Sequence, residues 1–387
     1  MIEGIPFLFP VLIVILLACL AIQCWFYLVH FNKIAKQQPQ KTARTEIPVT
    51  VIVCARNEAD NLKDLIPALC EQDYPTYEVL IVNDRSTDNS ESILNELKNR
   101  YPALRVVQHR SEASPGKKAA LKFGIENAAH EILLFTDADC LPTSKKWIES
   151  MVATFDLETD LVLGFSPYKK SKGLLNQFIQ YETYLTALQY FSWASVGKAY
   201  MGVGRNLAYK KSAFLKSDQF ESSLALASGD DDLMVQQIST ASNTKAVCRP
   251  EAITISKAPQ QFSLWWKQKM RHLSTGTTYP KSVQRRLGAF SGSLILFYLT
   301  GIACILIAAS LGNLQFVFVI SSLFILRWLF MMVCNESLSP VLKLRNFALF
   351  IPFYDFLFFF YLVAFAPFLF YNPTANTWNK KWIDSYS

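Results

Sequence analysis

The strongest constraint on this chain is where its charges are missing. Residues 5–31 run for 27 positions without an Asp, Glu, Lys or Arg, and a bilayer needs roughly 20 such residues per crossing. Further apolar runs cluster at 289–311, 314–334 and 347–371, with nothing comparable between Lys33 and Gly288. The pattern predicts a first membrane helix over 5–31, a polar domain over 45–280, a C-terminal membrane region of about three helices over 289–371, and a tail over 372–387. The first run is too long for a cleaved signal peptide, follows no basic side chain and precedes no small-residue cleavage site. A retained anchor is expected.

Lys33, Lys36, Lys41 and Arg44 follow the first run, and Lys343 and Arg345 follow the third. The tip "MIEG" and the loop near residue 313 carry no basic side chain. The bias of Lys and Arg toward the inner side then makes the polar domain cytoplasmic and puts both termini outside, with Lys380 and Lys381 opposing this orientation. The eight cysteines form no C-x-x-C pair and have no His at metal-ligand spacing, so they read as reduced hydrophobes. The formal charge of +7 sits largely beside the apolar runs. It points to anionic lipid head groups rather than nucleic acid.

Within the polar domain, "VTVIVCAR", "YEVLIVND", "LRVVQH" and "EILLFTD" read as strands, separated by helical segments over 58–71, from "DRSTDNS" to about Arg100, and at "GKKAALKFGIENAA". Near-continuous apolar strands alternating with helices predict an α/β domain whose parallel sheet is covered on both faces. Ligands of such sheets bind at the carboxyl ends of the strands. There the sequence places "ARNE", "NDRSTD" and "TDAD".

Alternate residues of a strand share a side, so Asp137 and Asp139 can converge if strand geometry continues through "TDAD". A hard divalent cation, Mg²⁺ or Mn²⁺, suits one or two such carboxylates plus phosphate oxygens. A solvated turn would also explain the pair. No G-x-x-x-x-G-K-[ST] and no G-x-G-x-x-G follows the first strand, which argues against a P-loop NTPase or a dinucleotide-binding dehydrogenase.

Taken in order, "VIVCARNEADNLKDLI", "EVLIVNDRSTDNS", "PGKKAALKFGIENA" and "FTDADC" resemble family 2 glycosyltransferases over roughly 48–275. The resemblance implies the GT-A fold, a Rossmann-like nucleotide-sugar-binding domain, here combined with transmembrane helices of a bacterial-type inner membrane. It makes Asp84 a nucleoside contact, with Asn83 where an Asp is usual and Asp88 read as a helix cap. It offers Ala55 and Glu58 as nucleotide contacts and Lys117 as a nucleotide-sugar contact, although a solvated helix start would also explain a lysine there. It makes Asp139 the metal ligand and Asp137 a contact to the donor.

"MGVGRNLAYKKSAF" resembles the family's G-x-N-x-x-[FY] segment and implies an acceptor-side role for Asn206. "SGDDDL" stands where the family carries E-D-x-D-L, with Gly229 replacing Glu. The general base is then Asp230, or Asp231 if the match shifts by one; the acidic run could also simply complement a helix dipole. In "WWKQKMRHL", Gln268 and Arg271 match the Q-x-x-R-W of polymerising members, and His272 replaces the Trp. Arg271 is a diphosphate candidate, and Gln268 and His272 lie toward the acceptor. Trp265, Trp266 and the segment 174–191 read as interfacial, with a core helix as the alternative for the segment.

The resemblance implies a metal-dependent, inverting transfer from a nucleotide-sugar, with a UDP-sugar expected, to a lipid or glycan acceptor at the membrane. A processive polysaccharide synthase coupled to export is the alternative within the class. A non-catalytic scaffold or export component is the alternative outside it. Arg327 and Asp355, at similar depth in two apolar runs, predict an ion pair between the third and fourth spans.

Overall fold

A computed structural model describes residues 5–35, 46–111, 116–221, 229–276, 279–342 and 350–369. The expected tail over 372–387 and both ends of the last expected span, 347–349 and 370–371, lie outside the described residues. Two compact units emerge, one from the N-terminal and C-terminal apolar segments and one from the residues between them.

The chain opens with α1 (Ile5–Trp25), a π-helical turn (Phe26–Phe31) and α2 (Asn32–Ala35). The central unit begins with the expected alternation: β1 (Val49–Ala55), α3 (Ala59–Cys70), β2 (Tyr77–Asp84), α4 (Ser90–Arg100), β3 (Leu104–His109), α5 (Lys117–Asn127) and β4 (Ile132–Phe135). There follow β5 (Cys140–Pro142), α6 (Trp147–Val152), β6 (Leu161–Leu163) and α7 (Leu174–Ala194). The unit continues through β7 (Leu207–Lys210), α8 (Lys211–Lys216), α9 (Asp232–Ile238), β8 (Thr244–Ala246), β9 (Thr254–Ser256) and α10 (Phe262–Gly276).

The main sheet runs β3-β2-β1-β4-β7-β6-β8, and β5 pairs with β9 apart from it. At its centre Val51 faces Val79 on one side and Leu134 on the other, all in parallel register. The sheet is not parallel throughout, as the apolar runs predicted. β7 lies antiparallel to both β4 and β6. A fully buried strand has the same apolar composition in either direction, so its sense is not written locally. Leu62, Leu65, Ile66 and Leu69 of α3 follow the 3.6-residue period and are buried in the same core as Val49, Val51 and Val53. Each such side chain contributes about 1.5–3 kcal/mol through burial.

α7 settles as a core helix rather than an interfacial one. Phe178, Tyr181, Leu185, Leu188 and Phe191 are buried, but so are Ile179, Tyr184, Ala187 and Tyr190 on its other faces. Trp265 likewise leaves the expected interface for the core, meeting the Phe178 ring edge-on at 5.8 Å. Its neighbours Phe262 and Leu264 are exposed.

The other unit adds α11 (Lys281–Ser310), α12 (Leu314–Leu342) and α13 (Ile351–Phe365) to the N-terminal helix. Among the described residues, four helices are long and apolar enough to cross a membrane. Inside them lies a polar network. Arg327 donates to both oxygens of Asp355, at 2.5 and 3.1 Å, which is the pair expected from sequence. Arg327 Nη2 also reaches Gln23 Oε1 at 3.3 Å, and Gln23 Nε2 donates to Ser293 Oγ at 2.7 Å and Phe290 O at 2.9 Å. Tyr298 donates to Asp355 and accepts from Trp328 Nε1 at 3.2 Å. The pair is thus a tie among all four helices.

Candidate active site

The turns after β1 and β2 are laced together. Asn57, in the left-handed region at φ 57°, accepts from Thr87 N at 2.8 Å and donates its own N–H to Ser86 Oγ at 3.0 Å. Asp88 accepts from Ser90 N at 3.0 Å and Ala59 N at 3.1 Å. It caps the starts of α4 and α3 together, as its expected capping role requires.

Asp84 ends β2 in a buried position. Arg85 donates to its two oxygens at 2.8 and 3.1 Å, and His109 Nδ1 lies 3.0 Å from Oδ1. Burial opposes the Asp84 charge, but the Arg85 and His109 hydrogen bonds outweigh it and hold the carboxyl below its usual range. Asn83 donates to Gln108 Oε1 at 2.9 Å. Ala55 is buried at the end of β1, so it offers a ligand only its main chain. Glu58 accepts from Asn61 at 2.6 Å, and its carboxyl is raised by burial and then by Asp139 and Asp137.

β4 stops at Phe135, before either aspartate of "TDAD". Strand alternation therefore does not bring Asp137 and Asp139 together; the turn that follows does. Ligand atoms of Asp137, Asp139 and Cys140 lie within 4.8 Å of one another. Burial, then Asp137 and Asp139, push the Cys140 thiol well above its usual range, and it donates to Asp139 Oδ1 at 3.3 Å. The site thus offers a hard cation two carboxylates, with the Cys140 thiol hydrogen-bonded to one of them. That donor set fits Mg²⁺ or Mn²⁺ completed by ligand oxygens.

Lys117, at the start of α5, joins the two ends of the site. Its Nζ lies 2.8 Å from Asp137 and 3.0 Å from Asp230. Desolvation opposes its charge, yet Asp137 and Asp230 outweigh that and hold the ammonium well above the usual lysine range. The three consecutive aspartates are not equivalent. Burial raises the Asp230 carboxyl, but Lys117 overrides it and the net direction is downward. Asp231 accepts from Gly204 N at 2.8 Å and Asp232 N at 2.9 Å, capping α9, and is raised by burial and by Asp230. Gly229 sits at φ +89°, where a Cβ would stand 2.7 Å from Thr275 Cγ2. The family's glutamate therefore has neither the backbone nor the space here.

Asn206, expected on the acceptor side, turns its side chain into the core. It is fully buried, accepts from Trp147 Nε1 at 3.1 Å, and donates to Phe165 O and Ala252 O at 2.7 Å each. A Cβ on Gly164 would lie 2.5 Å from its Cγ, so that glycine makes room for it. Asn206→Ala leaves three buried groups without partners. It is expected to cost about 1–3 kcal/mol for each group left unpartnered, read as a lower Tm in detergent, with the acceptor KM of the folded enzyme unchanged.

On α10, Gln268 donates to Tyr168 OH at 3.0 Å, while Arg271 and His272 are exposed. Lys269 pairs with Glu182 of α7. Sequence reasoning missed Arg85, His109, Tyr168 and Arg205. The only signal for Arg205 was its place inside "MGVGRNLAYK".

Residues 50–216 match the profile of glycosyl transferase family 2. The probable glycosyltransferase YdaM of Bacillus subtilis (strain 168) is 27% identical over 238 residues, covering 58% of this chain and 54% of that protein. A beta-monoglucosyldiacylglycerol synthase of Synechocystis sp. is 32% identical over 137 residues, covering 35% of this chain and 27% of that protein. The matched part thus spans about half of the first relative's length and about a quarter of the second's. A mannosyltransferase from Pyrobaculum calidifontis, solved in complex with GDP-Man and Mn²⁺, shares the fold at TM-score 0.57 and 19% identity, covering 93% of this chain and 99% of that one. Residues 50–216 form a family 2 glycosyltransferase domain.

Proposed function

We propose that the chain is a membrane-bound inverting glycosyltransferase that moves a sugar from a nucleotide-sugar, a UDP-sugar in our reading, to a lipid or glycan acceptor. The reading is supported above all by one arrangement: Asp137 and Asp139 at one end of the site, Asp230 at the other, and Lys117 between them. Four apolar helices fit attachment to a membrane, and the lipid product named for the Synechocystis relative fits a lipid acceptor. The loss of Trp at His272 favours a discrete acceptor over a growing polysaccharide.

In this mechanism the acceptor hydroxyl attacks the anomeric carbon as Asp230 takes its proton. The bond from that carbon to the diphosphate breaks, its electron pair leaves with the nucleoside diphosphate, and the configuration inverts. Asp230 suits the base because its partner is the mobile Lys117 side chain, whereas both Asp231 oxygens are tied to backbone N–H groups. Asp139, with Asp137, would hold Mg²⁺ or Mn²⁺, which supplies positive charge to the departing diphosphate. Lys117 is placed to add a second charge there once it turns from Asp230. Asp84 with Arg85 and His109 would meet the nucleoside.

In detergent, the full chain is expected to release UDP from a UDP-sugar in a metal-dependent way. Chelation with EDTA should lower the rate by two orders of magnitude or more, and added Mn²⁺ or Mg²⁺ should restore it. If the purified protein neither binds nor hydrolyses any nucleotide-sugar, the enzyme reading fails.

A further inference from the structure

Arg205 is the cation of this site that no motif accounts for. Its main chain is pinned on every side. Gly204 N donates to Asp231 at 2.8 Å, Arg205 O accepts from Thr254 Oγ1 at 2.9 Å, and Asn206 is locked in the core. Its side chain is held as firmly, but by neutral partners. The guanidinium carbon lies 4.4 Å from the centre of the Tyr168 ring, and Nη1 donates to Ser256 Oγ at 2.8 Å. Tyr168 is fixed in turn by Gln268 at 3.0 Å.

Among the described residues, no carboxylate comes within ion-pair distance of Arg205. Arg85, Arg105, Arg110 and Arg327 each have one. Asp137 and Asp139 are near enough to act on its charge. Ser256 pairs in register with Cys140, the residue that follows Asp139. A half-buried guanidinium has five N–H donors, and only one is engaged by Ser256. A guanidinium fixed beside a divalent-metal site is a ready partner for an anion that also meets the metal. A neutral hydroxyl does not supply such an anion. A diphosphate does.

We infer that Arg205 is a binding residue for the donor's diphosphate, preorganised by Tyr168 and Ser256 to receive phosphate oxygens beside the metal. The inference rests on the nucleotide-sugar reading above and adds to it an inner cation, where the motif offered only the exposed Arg271. A guanidinium suits the role because its planar fork matches two phosphate oxygens, which an ammonium cannot do. Its fixed position means that no ordering of a long side chain is needed when the donor arrives.

The test compares UDP with uridine by calorimetry on the full chain in detergent with Mn²⁺. Arg205→Gln is expected to weaken UDP binding about tenfold or more and to leave uridine binding unchanged. Arg205→Lys should fall between wild type and the Gln variant. Equal UDP affinity in Arg205→Gln and wild type overturns the assignment. So does an equal loss of uridine and UDP, which would mark a structural role, or a change confined to the acceptor KM. If wild type binds neither UDP nor GDP, the nucleotide-sugar reading itself fails and the assignment falls with it.

Discussion

Asp230→Asn is expected to lower kcat by roughly 10²–10⁴-fold while Mn²⁺-dependent binding of UDP persists. The amide keeps the shape of the side chain but cannot take a proton from the acceptor. Asp231→Ala should behave differently. It removes the cap of α9 and leaves the N–H groups of Gly204 and Asp232 without their partner. The expected cost is about 0.5–2 kcal/mol of stability, seen as a lower Tm, with kcat reduced far less than in Asp230→Asn. Parallel measurement of kcat and Tm in the two variants separates the roles. If Asp231→Asn abolishes turnover and Asp230→Asn does not, the base has been placed one residue too early.

The second large effect lies in the unit of four apolar helices. Asp355→Ala leaves the Arg327 guanidinium in an apolar interior without its carboxylate, and loss of one partner of a buried pair costs about 3–5 kcal/mol. Reversing either charge alone should be worse, since two like charges would then face each other. The double reversal, Arg327→Asp with Asp355→Arg, should recover part of the folded yield and of the Tm in detergent. Full recovery is not expected, because Gln23 and Tyr298 are arranged for the native polarity: Gln23 Oε1 accepts from Arg327, and Tyr298 donates to Asp355. A double variant as damaged as either single one would contradict the pairing.

Much of this architecture is legible in the sequence because it follows from local periodicity. β1, β2 and β3 lie where their β-branched runs are, and α3 carries its apolar stripe at the expected spacing. What is not legible depends on how distant segments meet. The antiparallel entry of β7 is one case, since "LAYK" reads the same in either direction. Asn206 is another: its motif pointed to the acceptor, but Trp147, Phe165 and Ala252 are the groups that use its amide. Asp137 and Asp139 were correctly paired for an incorrect reason, because a turn and not strand alternation joins them. In the apolar helices, Arg327 and Asp355 announce themselves as charges. Gln23, Ser293 and Tyr298 do not, since a polar residue in an apolar helix shows no partner until the helices are packed.

The four-helix network also imposes a schedule on biogenesis. Gln23 belongs to the first helix, yet Phe290 and Ser293, which its amide contacts, belong to α11. About 250 residues separate the end of α1 from the start of α11. At roughly 5–20 residues per second, translation of that interval lasts on the order of 10–50 s. In the membrane-bound reading proposed above, the first helix would wait in lipid with a bare amide during that time, while the whole catalytic domain is made behind it. Nascent chains that stop before α11 should therefore be substrates for membrane quality control even when their catalytic domain has folded.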